Sequence, residues 1–200
     1  MYTLINGSPK ISSSNTNYFL NIISIYLDKY NLFDIKNKKY DEILISINES
    51  DSIILSFPLY VDSPPSVLLE FLDYIIDQKI NLNKKYVYVI INCGFREGKQ
   101  NLTALEIIKS WCREVNATYA SSILIGAGEI VGKEKYKFIS RKALKNLEKF
   151  ATTIKNLEIK EKIITTMDFL NNKTYILLGN SSWNKNAKLN GLTKENLIIK

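Results

Sequence analysis

The sequence predicts an α/β protein in which helices cover both faces of a parallel sheet. Three observations carry that prediction. Short apolar runs alternate with amphipathic runs through residues 1–157, the order that βαβ units impose. Ser52-Ile53-Ile54-Leu55-Ser56-Phe57 and Lys85-Tyr86-Val87-Tyr88-Val89-Ile90-Ile91 are nearly continuous in β-branched and aromatic residues, as strands buried on both faces are. Polar loops containing glycine or proline follow the first, third and fourth runs.

Each element has its own signal. Tyr2-Thr3-Leu4-Ile5 reads as the first strand, and Tyr18 to Leu27 as a helix with Phe19, Leu20, Ile22, Ile23, Tyr26 and Leu27 on one face. Leu32-Phe33-Asp34-Ile35 is a short second strand before the lysine-rich Lys36 to Lys39, and Tyr40 to Ile47 is read as a helix. Ser52 to Phe57 is the third strand. The loop Pro58-Leu59-Tyr60-Val61-Asp62-Ser63-Pro64-Pro65 is stiffened by prolines and leads into the helix Ser66 to Gln78. Lys85 to Ile91 is the fourth strand, Asn92 to Gln100 its loop, and Asn101 to Val115 a helix with Leu102, Leu105, Ile108 and Trp111 at helical spacing. Ser121 to Ile125 is the last of five strands, and Arg141 to Leu157 a final amphipathic helix built on Leu144, Leu147, Phe150 and Ile154.

Between them, Gly126-Ala127-Gly128-Glu129-Ile130-Val131-Gly132 imitates a dinucleotide-binding glycine pattern. Its third glycine is one position late, and no following strand ends in an acidic residue, so the glycines are read as a turn. The tail, residues 158–200, exceeds the five-strand core. Ile163, Ile164, Met167 and Leu170 have helical spacing, and Tyr175 to Leu178 with Trp183 are apolar enough to need cover. The organisation expected is a domain over residues 1–157 and a helical or irregular C-terminal extension over 158–200, packed on the core or on a partner subunit.

Composition narrows the chemistry. At 200 residues, 46% hydrophobic and 24% charged, the chain is long enough for one substantial core. Its longest plainly apolar run, Tyr86 to Ile91, falls far short of a membrane span, and the N-terminus lacks the layout of a signal peptide, so a cytoplasmic protein without membrane contact is expected. The net charge is +7, but the lysines are scattered without interleaved aromatics, so a solvated surface is expected rather than nucleic-acid binding. Cys93 and Cys112 cannot form a metal-ligand set by themselves. The chain contains no histidine, which removes Ser-His-Asp hydrolysis, Cys-His proteolysis and histidine-ligated zinc together.

In a doubly wound sheet, ligands sit outside the carboxyl ends of the strands, where three loops would gather. Gly7 to Thr16 joins a strand to a helix, whose first N–H groups lack intrahelical partners and favour an anion. Ser8, Ser12, Ser13, Ser14, Asn15, Thr16 and Lys10 add donors, and no acidic residue precedes Asp28 to repel a phosphate. A serine-rich loop that only caps its helix would use the same residue types. Pro58 to Pro65 offers a stiff backbone and Tyr60, and Asn92 to Gln100 offers Gly94 for the close approach of a flat ring. Phosphate with a planar ring suggests a mononucleotide cofactor, and flavin mononucleotide (FMN) fits best.

These residues carry a family resemblance. Gly7-Ser8-Pro9-Lys10 with Ser14-Asn15-Thr16 resembles the phosphate loop of the NAD(P)H-dependent FMN reductase family, within the flavodoxin-like superfamily. Ser56 to Pro64 resembles that family's flavin loop, and Asn92 to Glu97 with Gln100 resembles a loop of a clostridial-type branch, as does the C-terminal Asn180…Trp183…Asn190-Gly191-Leu192. The resemblance implies a flavodoxin-like three-layer sandwich with a five-stranded sheet of order 2-1-3-4-5. It implies that Ser8, Pro9, Lys10, Ser14, Asn15 and Thr16 hold the FMN phosphate. Pro58, Leu59, Tyr60 and Val61 would pass along one edge of the ring, with Cys93, Gly94 and Phe95 near the other. The first loop departs from the family form in length and in having serines where a glycine is common, and Phe57 stands where small residues are common.

The activity implied is an oxidoreductase passing hydride or electrons from NADPH or NADH through FMN to a small acceptor: a quinone, nitro or azo compound, free flavin or iron complex. The cofactor carries the reaction, so no side chain need be a nucleophile or strong base. A homodimer or higher homo-oligomer is implied as well. Two alternatives stay open, a flavodoxin-like electron carrier and a flavin-binding sensor that does not oxidise NAD(P)H. Tyr60 could equally pack on its neighbouring helix, Cys93 could be inert, and Arg96 and Glu97 could simply pair.

Overall fold

The computed structural model describes residues 1–10, 14–133, 136–167, 171–193 and 196. Its sheet contains β1 (Tyr2–Asn6), β2 (Tyr30–Asp34), β3 (Ser52–Pro58), β4 (Tyr86–Asn92), β5 (Thr118–Ile125) and β6 (Ile163–Thr165). The strands pair in parallel, in the order β2-β1-β3-β4-β5-β6. Helices α1 (Asn15–Ser24), α2 (Tyr40–Glu49), α3 (Ser66–Asp77), α4 (Leu102–Glu114), a short α5 (Gly128–Val131) and α6 (Arg141–Lys155) connect them.

The burial of the strands explains the layers. Every residue of β3 before Pro58 is buried, and so is every residue of β4 after Tyr86, so the two central strands have apolar partners above and below. Ile5, Ile53, Leu55, Phe57, Val89 and Ile91 belong to one core with Ile43, Leu68, Phe71, Leu105 and Ile108 from α2, α3 and α4. Alternate residues, among them Leu4, Ile54, Tyr88 and Ile90, are buried outside that core. On their side α1 packs against β3 and α6, and Tyr88 meets Phe150 of α6 edge to face at 6.2 Å. The Tyr88 hydroxyl donates to the Glu158 carbonyl at 3.2 Å, which satisfies the polar end of a fully buried ring.

Tyr40–Glu49 is a helix, as its pattern predicts. The expected sheet order holds for the first five strands, but the sheet has six strands, not five. The sixth corrects the helical reading of Ile163, Ile164 and Met167. Residues Ile163, Ile164 and Thr165 pair with Ile123, Leu124 and Ile125. Without them, β5 would present an open ladder of N–H and C=O groups, and β-branched residues fit that edge better than a helix there. Leu170, the last residue of that spacing, lies outside the described residues.

Two compact units divide the chain, Met1–Thr166 and Met167–Lys200. The second contains α7 (Asn172–Leu189), capped at its start by the Asn171 Oδ1, which accepts from Thr174 N at 2.9 Å. It ends on Gly191, at φ +73°, with Leu192 N donating to Ala187 O and Gly191 N to Lys188 O. That pairing is a Schellman ending, and the left-handed residue it requires accounts for the glycine. Ile176, Leu177, Leu178 and Trp183 are exposed in the single chain.

The loop after β4 is drawn tightly over β5 and β6. A Cβ on Gly98 would lie 2.3 Å from Leu124 O and 2.4 Å from Thr165 O, where only backbone could yield. Gly98→Ala should therefore destabilise the fold by about 2–3 kcal/mol. Chemical denaturation reads this; an unchanged midpoint would contradict the packing of the sixth strand.

Candidate functional site

The parallel order brings the carboxyl ends of β1, β3 and β4 side by side, with Asn6 opposite Ser56 and Pro58 opposite Asn92. Above them lies a cavity of about 250 Å³ lined by residues from all three loops. The first loop leaves β1 through Gly7, whose N–H donates to Ser56 O at 2.7 Å. A Cβ there would lie 2.9 Å from the Leu68 side chain and 3.0 Å from Phe57 Cβ, so glycine lets the loop descend onto β3. Ser8 N donates to Asn6 Oδ1 at 3.1 Å, and Asn6 Nδ2 donates to Asp34 Oδ1 at 2.6 Å. Lys36 Nζ donates to the Lys10 carbonyl at 2.8 Å and adds a second cation to this loop.

Ser14 caps α1, its Oγ accepting from Asn17 N at 3.1 Å. The N–H groups of Asn15 and Thr16 have no place in the ladder of the helix, and the first turn carries no acidic residue. Ser8, Lys10, Ser14, Asn15 and Thr16 all line the cavity. Ser12 and Ser13, the further hydroxyls of this loop, lie outside the described residues.

Pro58, Leu59 and Tyr60 line the cavity from the second loop, Cys93 and Gly94 from the third. A Cβ on Gly94 would meet nothing within 4 Å, so packing does not demand a glycine there. Of the other residues singled out from the sequence, Pro9, Val61 and Phe95 do not line it. Val61 sits at the tip of a two-residue turn, 98% exposed, between Tyr60 and Ser63, which exchange both backbone hydrogen bonds at 3.0 Å. Val61 and Asp62 have φ of 48° and 60°, in the left-handed region, which is costly for the β-branched Val61 and more readily adopted by aspartate. The Phe95 side chain is exposed and its carbonyl accepts from Ala127 N at 2.6 Å, so this residue braces the loop against the turn after β5.

Two residues outside the candidate site set join the cavity, Asn92, which opens the third loop motif, and Glu129. Asn92 Nδ2 donates to Phe57 O at 3.1 Å and to Thr16 Oγ1 at 3.4 Å, while its carbonyl accepts from Leu59 N at 2.8 Å. One buried residue thus ties together the three chain segments. A polar residue ending a buried strand was the available signal. Glu129 corrects the expectation that no acid stands near the first loop. It reaches the cavity through the glycine-rich turn, where Gly128 packs on the Asn92 side chain and Gly132 on that of Asn15, each at under 3 Å from an ideal Cβ. The turn leads only into the four-residue α5, so it is not a dinucleotide-binding helix.

Cys93 is buried, its Sγ 3.7 Å from the carbonyls of Phe95 and Glu97 and 3.5 Å from Asn101 Nδ2. Burial pushes its thiol pKa up, outweighing the hydrogen bonds that lower it. Arg96 and Glu97 do pair, at 2.7 Å and half-buried. Among the described residues no group of three or more His, Cys, Asp and Glu could hold a metal ion, and no helix is long and apolar enough to cross a membrane.

No protein-family model and no curated protein sequence matches the chain. Solved structures do. The chain is similar to an NADPH-quinone reductase from P. pentosaceus (TM-score 0.60, 16% identity, 76% of this chain and 97% of that one). It is similar to an FMN-dependent NADH-azoreductase from Bacillus anthracis, solved in complex with FMN (TM-score 0.57, 14% identity, 78% and 99%). It is also similar to a flavodoxin from Streptococcus pneumonia TIGR4 (TM-score 0.56, 16% identity, 76% and 96%). The fold is therefore flavodoxin-like.

Burial also raises the pKa of Cys112, to about 12. Both thiols should stay protonated at pH 8, because each folded-state pKa lies above its ordinary value. An aromatic disulfide reagent at that pH should label neither in the native protein and both in guanidinium chloride. Prompt native labelling would contradict the burial of Cys93.

Proposed function

We propose that this chain is an FMN-dependent NAD(P)H oxidoreductase that reduces a small acceptor such as a quinone, a nitro or azo compound, free flavin or an iron complex. The observation that carries the reading is one cavity built from three loops, with helix-start donors on one side and an unobstructed glycine edge on the other. Those two features suit the two ends of FMN. Ser8, Lys10, Ser14, Asn15 and Thr16 would hold the phosphate, where the dipole of α1 favours negative charge. Pro58, Leu59 and Tyr60 would border one edge of the ring, with Gly94 at the other. Glu129, which can only accept hydrogen bonds when ionised, suits the hydroxyls between phosphate and ring.

Bound FMN would supply two-electron chemistry with a nicotinamide, and the residues around it would supply binding, orientation and exclusion of water. Asn92 would keep the loops at fixed separation without reaching the ring. Cys93, held neutral, would add no charge beside it. At about 250 Å³ the cavity is smaller than the roughly 300–1,000 Å³ of sites that enclose their ligands, which suits a ring with one face left open to a second substrate. The similarity to a flavodoxin supports a second reading, an electron carrier that takes no hydride from a nicotinamide.

We also propose that the chain forms a homo-oligomer through α7, whose exposed Ile176, Leu177, Leu178 and Trp183 are more apolar surface than a solvated helix needs. Sedimentation equilibrium should find the full chain dimeric or larger, and Leu177→Glu with Trp183→Glu should yield a monomer. A monomeric full chain would remove this proposal.

Reconstitution tests the cofactor. The purified chain should retain FMN and be bleached anaerobically by NADPH or NADH. Asn15→Ala with Thr16→Ala should weaken FMN binding by about tenfold or more and leave riboflavin affinity nearly unchanged. Gly94→Val should weaken both flavins with little change in stability. Absence of flavin binding would sink the reading, and bound flavin that neither nucleotide reduces would favour the carrier.

A further inference from the structure

The first loop belongs to a closed circuit of polar contacts. Asn6 Nδ2 donates to Asp34 Oδ1 at 2.6 Å, and Asn6 Oδ1 accepts from Ser8 N at 3.1 Å. Ser8 Oγ accepts from Lys10 N at 3.4 Å, and the Lys10 carbonyl accepts from Lys36 Nζ at 2.8 Å. Lys36 Nζ lies 3.7 Å from Asp34 Oδ2, which closes the circuit on the carboxylate where it began. Ser8 and Lys10 line the cavity, whereas Asn6, Asp34 and Lys36 do not.

The sheet brings these residues together. Asn6 and Asp34 are register partners at the carboxyl ends of β1 and β2. A single 3-10 turn, Ile35–Asn37, then returns Lys36 to the same carboxylate. An ionised carboxylate only accepts hydrogen bonds, so Asp34 fixes which way the Asn6 carboxamide faces. With Nδ2 turned to Asp34, Oδ1 is presented to Ser8 N, and the course of the loop after β1 is set. The Ser8 hydroxyl, occupied as an acceptor by Lys10 N, keeps its own proton to donate. Ser8 is 1% exposed and stands on the cavity wall, so a ligand there is the group that can take that proton.

Charge alone gives no reason for Asp34 in this place, because a carboxylate near an anion site opposes the anion. Its oxygens instead hold the carboxamide that shapes the loop and the ammonium that offsets its charge. We propose that Asp34 and Lys36 are positioning residues for the phosphate of the bound mononucleotide, holding Ser8 to Lys10 in the shape that receives it. The proposal rests on the FMN reading above for its ligand. A loop ordered before the ligand arrives loses less freedom on binding, and that saving appears as affinity.

Simple electrostatics makes the opposite forecast, which gives the test its sign. Removing Asp34 takes a negative charge from the site and by field alone strengthens FMN binding, whereas loss of the circuit weakens it. In the full chain, Asp34→Ala should weaken FMN binding about tenfold and leave riboflavin affinity within about twofold. Asp34→Asn, which keeps an acceptor for Asn6 Nδ2, should lie between Asp34→Ala and the wild type. Lys36→Met should also weaken FMN binding. The double variant Asp34→Ala, Lys36→Met leaves net charge unchanged, so field effects cancel in it, yet it should bind FMN no better than the weaker single variant. FMN affinity that is unchanged or higher in Asp34→Ala, an equal loss for riboflavin, or wild-type affinity in the double variant would overturn the proposal. If the wild-type chain binds no FMN, the cofactor reading fails, and titration with inorganic phosphate, followed by NMR at the Asn15 and Thr16 amides, decides the circuit separately. Shifts in the wild type that Asp34→Ala abolishes support it; shifts absent from the wild type, or kept in the variant, overturn it.

Discussion

The carboxamide of Asn92 sits at the end of β4 in a position that admits few other side chains. Its Nδ2 reaches the last core carbonyl of β3 and the Thr16 hydroxyl at the start of α1, and the backbone carbonyl of the same residue accepts from Leu59 N. Gly128 is small enough to rest on its flank. An apolar residue here would lose the side-chain bonds to the Phe57 carbonyl and the Thr16 hydroxyl, while the backbone carbonyl would still accept from Leu59 N. Three loops that the sequence separates widely are thereby held as one wall, and the candidate site is positioned by the interior rather than by loop contacts alone.

The electrostatics of that wall divide into two regions. At the start of α1, N–H groups outside the helical ladder, Lys10 and the neighbouring Lys36 favour an anion. Glu129, reached through a turn that packs on Asn15, provides an acceptor, and the neutral Cys93 thiol provides no charge. A ligand with one anionic end, hydroxyls in its middle and a flat neutral end suits this distribution better than a uniformly charged one. The glycines share the same economy of space, because Gly7, Gly126 and Gly128 lie where backbone or side chains approach too closely for a Cβ, while Gly94 borders open space.

Much of this was legible beforehand because the signals are local. The apolar continuity of Ser52 to Phe57 and Tyr86 to Ile91 reported burial on both faces, and the heptad-like spacing around Phe19 and Ile23 reported a helix. The strand-loop-helix order around Gly7 to Thr16 reported a helix start able to receive an anion. Ile163 to Thr165 was misread because three β-branched or threonine residues support helix and strand spacing alike over so short a run; only the open edge of β5 decides between them. The turn at Val61 was illegible for a related reason. Val61 is not a residue that a left-handed turn selects, although Asp62 is, so the strain at Val61 answers to the closure of Tyr60 onto Ser63 rather than to propensity.

The sequence by itself therefore determined the class of fold and which loops stand at the carboxyl edge, because the alternation of apolar strands and amphipathic helices leaves little choice, while the order of the first five strands was implied by the family resemblance. The tertiary structure decided what fills the space between those loops. Glu129 and Asn92 join the cavity, and Pro9, Val61 and Phe95 stay off its wall. Such choices depend on the meeting of segments remote in the chain, and that meeting is set by packing and by the pairing of buried polar groups, which no local pattern encodes.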